Sequence, residues 1–266
     1  MTAAARPAGP TTQQLLNDFR PEVLNDRHDR QHSLLEATGA LVPPPYDVLD
    51  LGSGSGVSAV WAARKGWRVT AVDVSADNLQ VLREHLVREP GLSITPIVSD
   101  AGACTGVPDD SFDIAYLKDL IEHVPDYQRV LRTTAQKLRT GGLAYIATTN
   151  VICPLQLEYQ GVGPYSWYPR WLKERIMAYA MTSKPEIVHN TPYPALHWFS
   201  RRRLGKALRE AGFRRAWDIY DLIRSPQDLT RRTRLIYPFI RYARHVPFGR
   251  DVVDLGVVGL TMVAQK

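Results

Sequence analysis

The spacing of apolar side chains changes several times between residues 46 and 149. Short apolar runs rich in β-branched residues alternate with longer stretches in which apolar residues recur every three or four positions. The first pattern predicts strands, and the second predicts amphipathic helices. The predicted strands are 46–51, 68–72, 94–99, 112–117 and 143–149. Such alternation is typical of a parallel sheet with helices on both faces.

The regions on either side of this alternation follow other patterns. The first dozen residues are rich in Ala, Pro and Thr, and we expect them to be disordered. Residues 13–41 predict a polar helical segment that ends before Pro43. Residues 151–198 are irregular and rich in Pro, Tyr and Trp. The later predicted elements are a helix near 171–181, a helix at 200–211, and strands near 216–223 and 255–264.

These patterns divide the chain into four parts. The parts are a disordered start with a helical cap (1–42), a core that begins the sheet (43–150), an aromatic insert (151–198) and the C-terminal part of the core sheet (199–266). The insert follows the fifth predicted strand, so it is expected near the carboxyl edge of the sheet. Doubly wound folds bind their ligands at that edge.

The composition excludes several classes of protein. With 44% apolar and 23% charged residues, the 266-residue chain is too apolar to be disordered throughout. Its two cysteines, Cys104 and Cys153, are too few for a disulfide scaffold or a four-thiolate zinc site. No run approaches the ~20 apolar residues of a transmembrane helix, and residues 1–10 lack the apolar stretch of a signal peptide. We therefore expect a cytoplasmic protein.

Positive charge is concentrated towards the C-terminus. The formal net charge is +6, and residues 201–250 contain fourteen Lys or Arg against four acidic residues. Such a region suits nucleic acid, an anionic membrane or an anionic substrate, although a solvated arginine-rich surface is the simpler interpretation. Residues 231–244 could rest peripherally on an anionic membrane and deliver a prenylated substrate. We favour docking of this segment on the sheet through Leu235, Ile236 and Phe239.

Three glycines follow the first predicted strand. Gly52, Gly54 and Gly56 open the turn into the next helix, where glycine lets the backbone bend sharply and approach a ligand. Their G-x-G-x-G spacing differs from the G-x-G-x-x-G of dinucleotide-binding proteins. Asp50 precedes the first glycine by two residues, where a carboxylate opposes a pyrophosphate and suits a ligand with an ammonium group. Both features disfavour an NAD-dependent dehydrogenase.

Two further aspartates end the next two predicted strands. Asp73 is placed to accept hydrogen bonds from ribose hydroxyls, and Asp100 could accept one from an exocyclic adenine amine. An aspartate at a strand end often does no more than form a turn or cap a helix. Three aspartates at three successive strand ends, together with the glycine loop, suit a cationic nucleoside better than a phosphorylated one.

Five segments together resemble the class I S-adenosylmethionine-dependent methyltransferases, and most nearly the ubiquinone-biosynthesis-type and other small-molecule O-methyltransferases. The segments are VLDLGSGSG (48–56), AVDVSADNL (71–79), VSDA (98–101), FDIAYLKDLIEHVPD (112–126) and LRTGGLAYIAT (138–148). The resemblance implies an α/β fold with a doubly wound, Rossmann-like, seven-stranded sheet whose last strand is antiparallel. An N-terminal helical segment and an aromatic lid insert after strand five complete the expected architecture.

The resemblance also implies S-adenosylmethionine as the cofactor. The residues implied to contact it are Asp50, Gly52, Gly54 and Gly56 around the methionine part, Asp73 on the ribose, Val74 against the adenine, Asp100 and Ala101 at the adenine edge, and Lys118 beside the sulfonium.

The segment after the fourth strand has two interpretations. Asp119, Glu122 and His123 resemble the pattern with which ubiquinone-biosynthesis O-methyltransferases hold a divalent metal, and carboxylate oxygens suit Mg²⁺. Alternatively, His123 acts as a general base, since neutral imidazole titrates in the useful range, or it packs beneath the cofactor. We assign His123 as the catalytic base and assign no residue as a metal ligand.

The insert supplies the expected acceptor site. Methyl transfer is an in-line displacement, so the protein mainly aligns the reactants and excludes water, and a hydroxyl acceptor also needs a base. An aromatic wall with histidines suits a planar or lipid-like acceptor, although each aromatic residue could also pack in an irregular core. The candidate acceptor-binding residues are Tyr165, Trp167, Tyr168, His189 and His197.

We therefore expect a methyltransferase that acts on a small aromatic or lipid-like acceptor, most readily on oxygen. An RNA-modifying methyltransferase is an alternative that the basic C-terminal third suggests. The missing Asn/Asp-Pro-Pro-Tyr signature after strand four argues against nucleic acid. A partner subunit that binds S-adenosylmethionine without turnover is a second alternative. The oligomeric state is left open.

Overall fold

The computed structural model describes residues 21–155, 162–183, 195–229, 234–243 and 245–266. Within these ranges the sheet has seven strands in the order β3-β2-β1-β4-β5-β7-β6. The strands are β1 (Asp47–Leu51), β2 (Arg68–Asp73), β3 (Ile94–Val98), β4 (Phe112–Lys118), β5 (Leu138–Thr149), β6 (Arg215–Asp218) and β7 (Gly259–Gln265). Strand β7 pairs antiparallel with both neighbours, and the other pairs are parallel. The predicted fold class is confirmed.

Helices cover both faces of the sheet. They are α1 (Pro21–Ala37), α2 (Val57–Arg64), α3 (Ala76–Arg88), α4 (Tyr127–Lys137), α5 (Arg170–Ser183), α6 (Arg201–Glu210), α7 (Ile219–Leu222), α8 (Tyr237–Ala243) and α9 (Gly249–Asp254). One of the two large buried clusters contains Leu35, Trp61 and Leu82, the second contains Leu131 and Leu208, and a small third one contains Tyr165 and Trp198. The central strands β1 and β4 are buried along most of their length because they lie between these two layers.

One predicted strand ends early. The apolar pattern extends the sixth strand over 216–223, whereas β6 ends at Asp218 and α7 follows at once. The side chain of Asp218 accepts from the backbone N–H of Asp221, and the Asp221 side chain accepts from the backbone N–H of Asp218. This reciprocal capping box starts a helix where the apolar pattern alone predicts continued strand.

The predicted docking of residues 231–244 is wrong in its detail. Helix α8 packs on the core through Ile240 and Ala243, which are buried. Leu235 is 88% exposed and Phe239 is 49% exposed, and the side chain of Ile236 lies outside the described residues. The apolar face predicted to dock therefore faces outwards.

Among the described residues, no helix has the length and apolar character needed to cross a bilayer.

Candidate functional site

The candidate site lies at the carboxyl edge of the sheet, where β1 separates β2 from β4. Leu51 at the end of β1 is paired with Val72 of β2 and with Leu117 of β4. The chain runs from β1 outwards to β2 and β3 and then returns to β4 on the other side. This reversal of strand order opens a crevice at the strand ends, which is the usual ligand position in open α/β sheets.

The glycine loop bends sharply over this crevice. The N–H groups of Gly52 and Ser53 both donate to the carbonyl oxygen of Val72, at 2.8 and 3.0 Å. A Cβ on Gly52 would lie 2.8 Å from Leu120, and one on Gly56 would lie 2.6 Å from Leu82. These two positions require glycine for packing, and their positive φ angles of +67° and +84° favour it as well.

Gly54 differs from its two neighbours in the loop. Its φ is +54°, and a Cβ built on it would meet no described atom within 4 Å. The space beside Gly54 is therefore open. A side chain at this position would fill it and would keep a ligand away from the backbone. Glycine at this position suits close approach by a ligand better than internal packing.

Asp73 holds the glycine loop against the end of β2. Its carboxylate accepts from the N–H groups of Gly54 and Ser75, both at 2.8 Å, and from the amide of Asn78 at 3.4 Å. An ionised carboxylate offers about four acceptor positions. Three of these positions are used, so one remains for a further donor.

Asp50 and Lys118, near the ends of β1 and β4, carry opposite charges that influence each other electrostatically. Asp50 is 2% exposed, and its Oδ2 has no hydrogen-bond partner among the described residues. Burial raises the pKa of Asp50 to about 6, although the nearby Lys118 opposes the rise. Burial lowers the pKa of Lys118 to about 8, with Asp50 opposing the fall. Loss of hydration therefore disfavours the charged form of each group.

The N-terminal helix reaches the same place. The Lys118 ammonium donates to the hydroxyl of Ser58 in the first turn of α2. The Nε2 atom of His28, on α1, lies 3.2 Å from that hydroxyl oxygen. His28 also stacks on Trp61 with 5.5 Å between ring centroids. Helix α1 thus packs against α2 directly after the glycine loop, a contact that the sequence pattern did not predict.

The residues expected around an adenine differ in accessibility. Val74 is 66% exposed between β2 and α3. Asp100 is exposed after β3, and its Oδ1 accepts from the N–H of Gly102 at 3.0 Å. Ala101 is 8% exposed and belongs to a buried cluster. Val74 and Asp100 can reach a ligand at this edge, whereas Ala101 mainly supports the turn.

Asp119, Glu122 and His123, one candidate set of metal ligands, do not converge. Asp119 is exposed, with a φ of 51°. The carboxylate of Glu122 is buried and accepts from the hydroxyl of Thr148 at 2.9 Å. Within the described ranges, no three His, Cys, Asp or Glu side chains are grouped so that they could hold a metal ion. His123 is half-buried in the same turn.

The insert and the segment before α6 enclose a cavity of about 570 Å³. Tyr165 and His197, two of the predicted acceptor-binding residues, line it. Trp167 and Tyr168 are not in its described lining; Trp167 is 58% exposed, and the Tyr168 hydroxyl donates to Val162. His189 lies outside the described residues.

His197 also fixes the cavity wall to the loop after β4. The N–H groups of Leu196 and His197 donate to the carbonyl of Glu122, at 2.7 and 3.1 Å. The ring Nε2 of His197 lies 3.1 Å from the carbonyl oxygen of Val124, so it carries a proton and donates. Burial lowers the pKa of His197. The ring is therefore engaged in holding two segments together.

Lys173 lines the same cavity, and the sequence pattern did not single it out. Its ammonium donates to the carbonyl of Ser166 at 2.7 Å and lies 4.3 Å from the ring centroid of Trp198. Burial lowers the pKa of Lys173. A lysine on an amphipathic helix resembles a solvated surface residue in sequence, so only the folded insert reveals this environment.

Solved structures that are similar to this chain include methyltransferases. One, from Mesorhizobium loti, is 21% identical with a TM-score of 0.54, and the match covers 88% of this chain and 98% of that one. The phosphoethanolamine N-methyltransferase 2 of Haemonchus contortus is 17% identical with a TM-score of 0.54 and matches over 90% of this chain and 53% of that one. These matches establish the fold, which is the Rossmann-like fold of class I methyltransferases.

The family described as "Methyltransferase domain" matches residues 19–215, and the chain belongs to this family. The ubiquinone biosynthesis O-methyltransferase of Pectobacterium atrosepticum is 34% identical over 103 residues, which are 39% of this chain and 42% of that protein. The chain thus matches about two fifths of the length of these curated relatives. The predicted membership of the methyltransferases is confirmed.

Proposed function

We propose that this protein transfers a methyl group from S-adenosylmethionine to a small aromatic or lipid-like acceptor, on an acceptor oxygen. The observation that carries the proposal is the open space at Gly54, beside the buried carboxylate of Asp50 and the loop-bound carboxylate of Asp73. When bound, S-adenosylmethionine supplies an electrophilic methyl group.

The residues at the crevice fit this cofactor. The unpartnered Oδ2 of Asp50 suits an ammonium group, since a buried carboxylate oxygen gains most from a charged donor. Asp73 suits the ribose hydroxyls, and the exposed Val74 suits an adenine face. Lys118 balances the charge of Asp50 and thereby keeps that carboxylate ionised for binding.

The cavity beside His197 is the proposed acceptor site. Its aromatic wall of Tyr165 and Trp198 suits a planar or lipid-like molecule, and its volume of about 570 Å³ suits a small one. His123 is the proposed base for an acceptor hydroxyl, because the ring Nε2 of His197 is already committed to Val124. The 34% sequence identity over 103 residues to a ubiquinone biosynthesis O-methyltransferase supports oxygen as the acceptor atom.

The cofactor site is tested by calorimetric titration of S-adenosylmethionine into two alanine variants. Gly54→Ala places a methyl group in the open space, and we expect it to weaken binding by about tenfold or more. Gly66→Ala is the matched control, since Gly66 also has a positive φ of +83° and open space around it but lies in the α2–β2 turn. Equal binding by both variants would contradict the proposed position of the cofactor.

The base is tested with two glutamine variants and a panel of phenols, catechols and quinols. We expect His123→Gln to lower kcat by about 10²-fold or more, the usual contribution of a general base. His197→Gln keeps a side-chain N–H donor for Val124 and should stay within a few-fold of the parent. A larger loss of kcat in His197→Gln than in His123→Gln would show that His197 is the base.

The same assay distinguishes the two alternative functions. Radioactive methyl groups that appear in RNA and in none of the small acceptors would favour the RNA-modifying alternative. Tight binding of S-adenosylmethionine without turnover of any acceptor would favour a partner subunit. Addition of Mg²⁺ or a chelator should leave the rate unchanged, because Asp119, Glu122 and His123 do not converge in the described residues.

A further inference from the structure

An exposed apolar strip runs along α8 and the 3-10 turn before it, Arg234–Ile236. Leu235 is 88% exposed, Phe239 is 49% exposed and Tyr242 is 67% exposed. Their spacing of four and then three residues places them on one side of a helix. Val246 and Phe248 follow in the turn before α9, where they are 38% and 70% exposed. We call these five side chains the C-terminal apolar surface.

The core fixes the orientation of this surface. On the opposite side of α8, Ile240 is 2% exposed and Ala243 is 1% exposed, and both belong to the main buried cluster. A Cβ on Gly249, at the start of α9, would lie 2.4 Å from the carbonyl oxygen of Ala243, so the two helices meet closely. The exposed residues cannot turn inwards without removing the buried pair.

Positive charge is concentrated in the same segment of the sequence as the C-terminal apolar surface. Residues 229–250 contain six arginines and no aspartate or glutamate. Arg250 forms ion pairs with Asp218 and Asp221. Arg234 and Arg241 are exposed, and neither forms an ion pair within the described part of the chain. Apolar and uncompensated basic side chains thus share one short segment.

We propose that the C-terminal apolar surface binds the surface of an anionic lipid bilayer. Aromatic side chains lie favourably at the level of the lipid headgroups, and aliphatic ones enter the acyl boundary. Exposed arginines are attracted to anionic lipids within about a Debye length of the membrane. Contiguous exposed apolar patches are uncommon on monomeric proteins and mark sites of interaction.

Two other occupants fit the charge and apolarity less well. In a symmetric dimer formed through this surface, each copy would present Arg234 and Arg241 to a surface that carries the same uncompensated arginines, and like charges repel. RNA would use the arginines and could stack on the aromatic rings, but it gives no role to an aliphatic side chain as exposed as Leu235. An anionic bilayer uses all three kinds of side chain.

The proposal is independent of the methyl transfer reaction. It is compatible with a lipid-like acceptor, because an enzyme held at a membrane meets such a molecule where it dissolves. It places no constraint on which acceptor atom is methylated. Lipid binding can therefore be measured without any substrate.

The experiment is flotation of the full-length protein with two kinds of vesicle, one of phosphatidylcholine and one of phosphatidylcholine and phosphatidylglycerol in equal parts. We expect binding to the anionic vesicles only, with a decrease as salt is raised. Leu235→Ser combined with Phe239→Ser should lower binding by about tenfold or more. Arg234→Gln combined with Arg241→Gln should weaken binding to anionic vesicles as well.

The matched control is Val42→Ser combined with Val87→Ser. These valines are 51% and 81% exposed, outside the C-terminal segment, so their loss should leave vesicle binding unchanged. Circular dichroism and S-adenosylmethionine titration establish that each variant is folded.

Three results would overturn the proposal. The first is failure of the parent protein to float with anionic vesicles at low salt. The second is self-association in sedimentation that the Leu235 and Phe239 variant abolishes while vesicle binding persists. The third is an equal loss of vesicle binding in the control variant, which would show that binding does not depend on the C-terminal apolar surface in particular.

Discussion

Asp50 and Lys118 show how single residues at the crevice are perturbed by their surroundings. Each is charged in water near neutral pH, and each loses hydration in the fold. Their mutual attraction offsets part of that loss, since opposite charges interact more strongly away from water. The pair is therefore best ionised between about pH 6 and pH 8, the two pKa values that bound the window.

At the scale of this residue pair, we predict the effect of Asp50→Asn on stability as pH changes. The pKa of Asp50 rises on folding from 3.8 to about 6, so the folded state binds more protons than the unfolded state in that interval. The parent should therefore lose stability as pH rises from about 4 to 6, by on the order of 3 kcal/mol from this group. The variant should lack this loss in urea unfolding experiments.

The same variant should also change the titration of Lys118. Asp50 supports the charged form of Lys118, so its removal should lower the Lys118 pKa below about 8. Carbon NMR of the lysine ε position measures this directly. Asp77→Asn, at an exposed position in α3, is the control. An unchanged Lys118 titration in Asp50→Asn would contradict the pairing.

At the scale of elements, the site depends on how β5 and the segment before α6 hold the loop after β4. Thr148 of β5 donates to the buried carboxylate of Glu122, and Thr149 donates to the carbonyl of His197. The Glu122 carbonyl in turn accepts from Leu196 and His197. Three chain segments thus form one hydrogen-bonded unit between the crevice and the cavity.

We predict that Thr148→Val destabilises this unit. Valine has nearly the shape of threonine but cannot donate, and a weakened hydrogen-bond set at a buried carboxylate costs about 1–3 kcal/mol. The free energy of unfolding in urea measures the loss. Thr95→Val, on the exposed side of β3, should change it by less than about 0.5 kcal/mol. A neutral result for Thr148→Val would mean that Glu122 does not depend on this bond.

At the scale of the whole molecule, an ion-pair network joins the end of the chain to the sheet. Arg201 of α6 pairs with Asp254 of α9 at 2.7 Å and with Asp251 at 2.5 Å, and it lies 3.4 Å from Asp218 of β6. Asp254 is 3% exposed. Asn150, at the end of β5, donates to the Asp254 carbonyl at 2.9 Å. The network therefore fixes α9 and the strand that follows it.

Arg201→Met tests the importance of this network. It leaves the buried carboxylate of Asp254 without its cation, whereas Asp218 keeps Arg250, and the loss of a buried pair costs about 3–5 kcal/mol. Chemical denaturation should show the decrease. Arg202→Met, at the neighbouring exposed position, should have an effect below about 0.5 kcal/mol. Similar stabilities for the two variants would refute the argument.

Much of the fold follows from local sequence pattern. The strands of the first half and the glycine loop lie where the apolar runs and turn residues predict them. The apolar pattern of a strand is carried by residues that are next to one another in the chain, so it can be read locally. The end of β6 was mispredicted because the reciprocal bonds of Asp218 and Asp221 outweigh the apolar pattern there. The outward face of α8 was mispredicted because its apolar residues occupy both sides of the helix.

The candidate site was predictable in part. Asp50, Gly54 and Asp73 were singled out by their order at strand ends, and the structure brings them together. Lys173 gave no signal, since its surroundings come from Ser166 and Trp198, which are far from one another in sequence. The assignment of His123 as the base stays a prediction.

The sequence by itself determined the order of strands and helices from β1 to α6, the position of the glycine turn and the membership of the methyltransferases. Those features depend on residues close to one another in the chain. The period of the apolar side chains sets the type of element, and the conformational freedom of glycine sets the turn. Only the tertiary structure decided which charges are buried together, which residues enclose the cavity and which side of α8 remains exposed. Desolvation and Coulomb energies depend on distances between groups remote in sequence, and folding alone sets those distances.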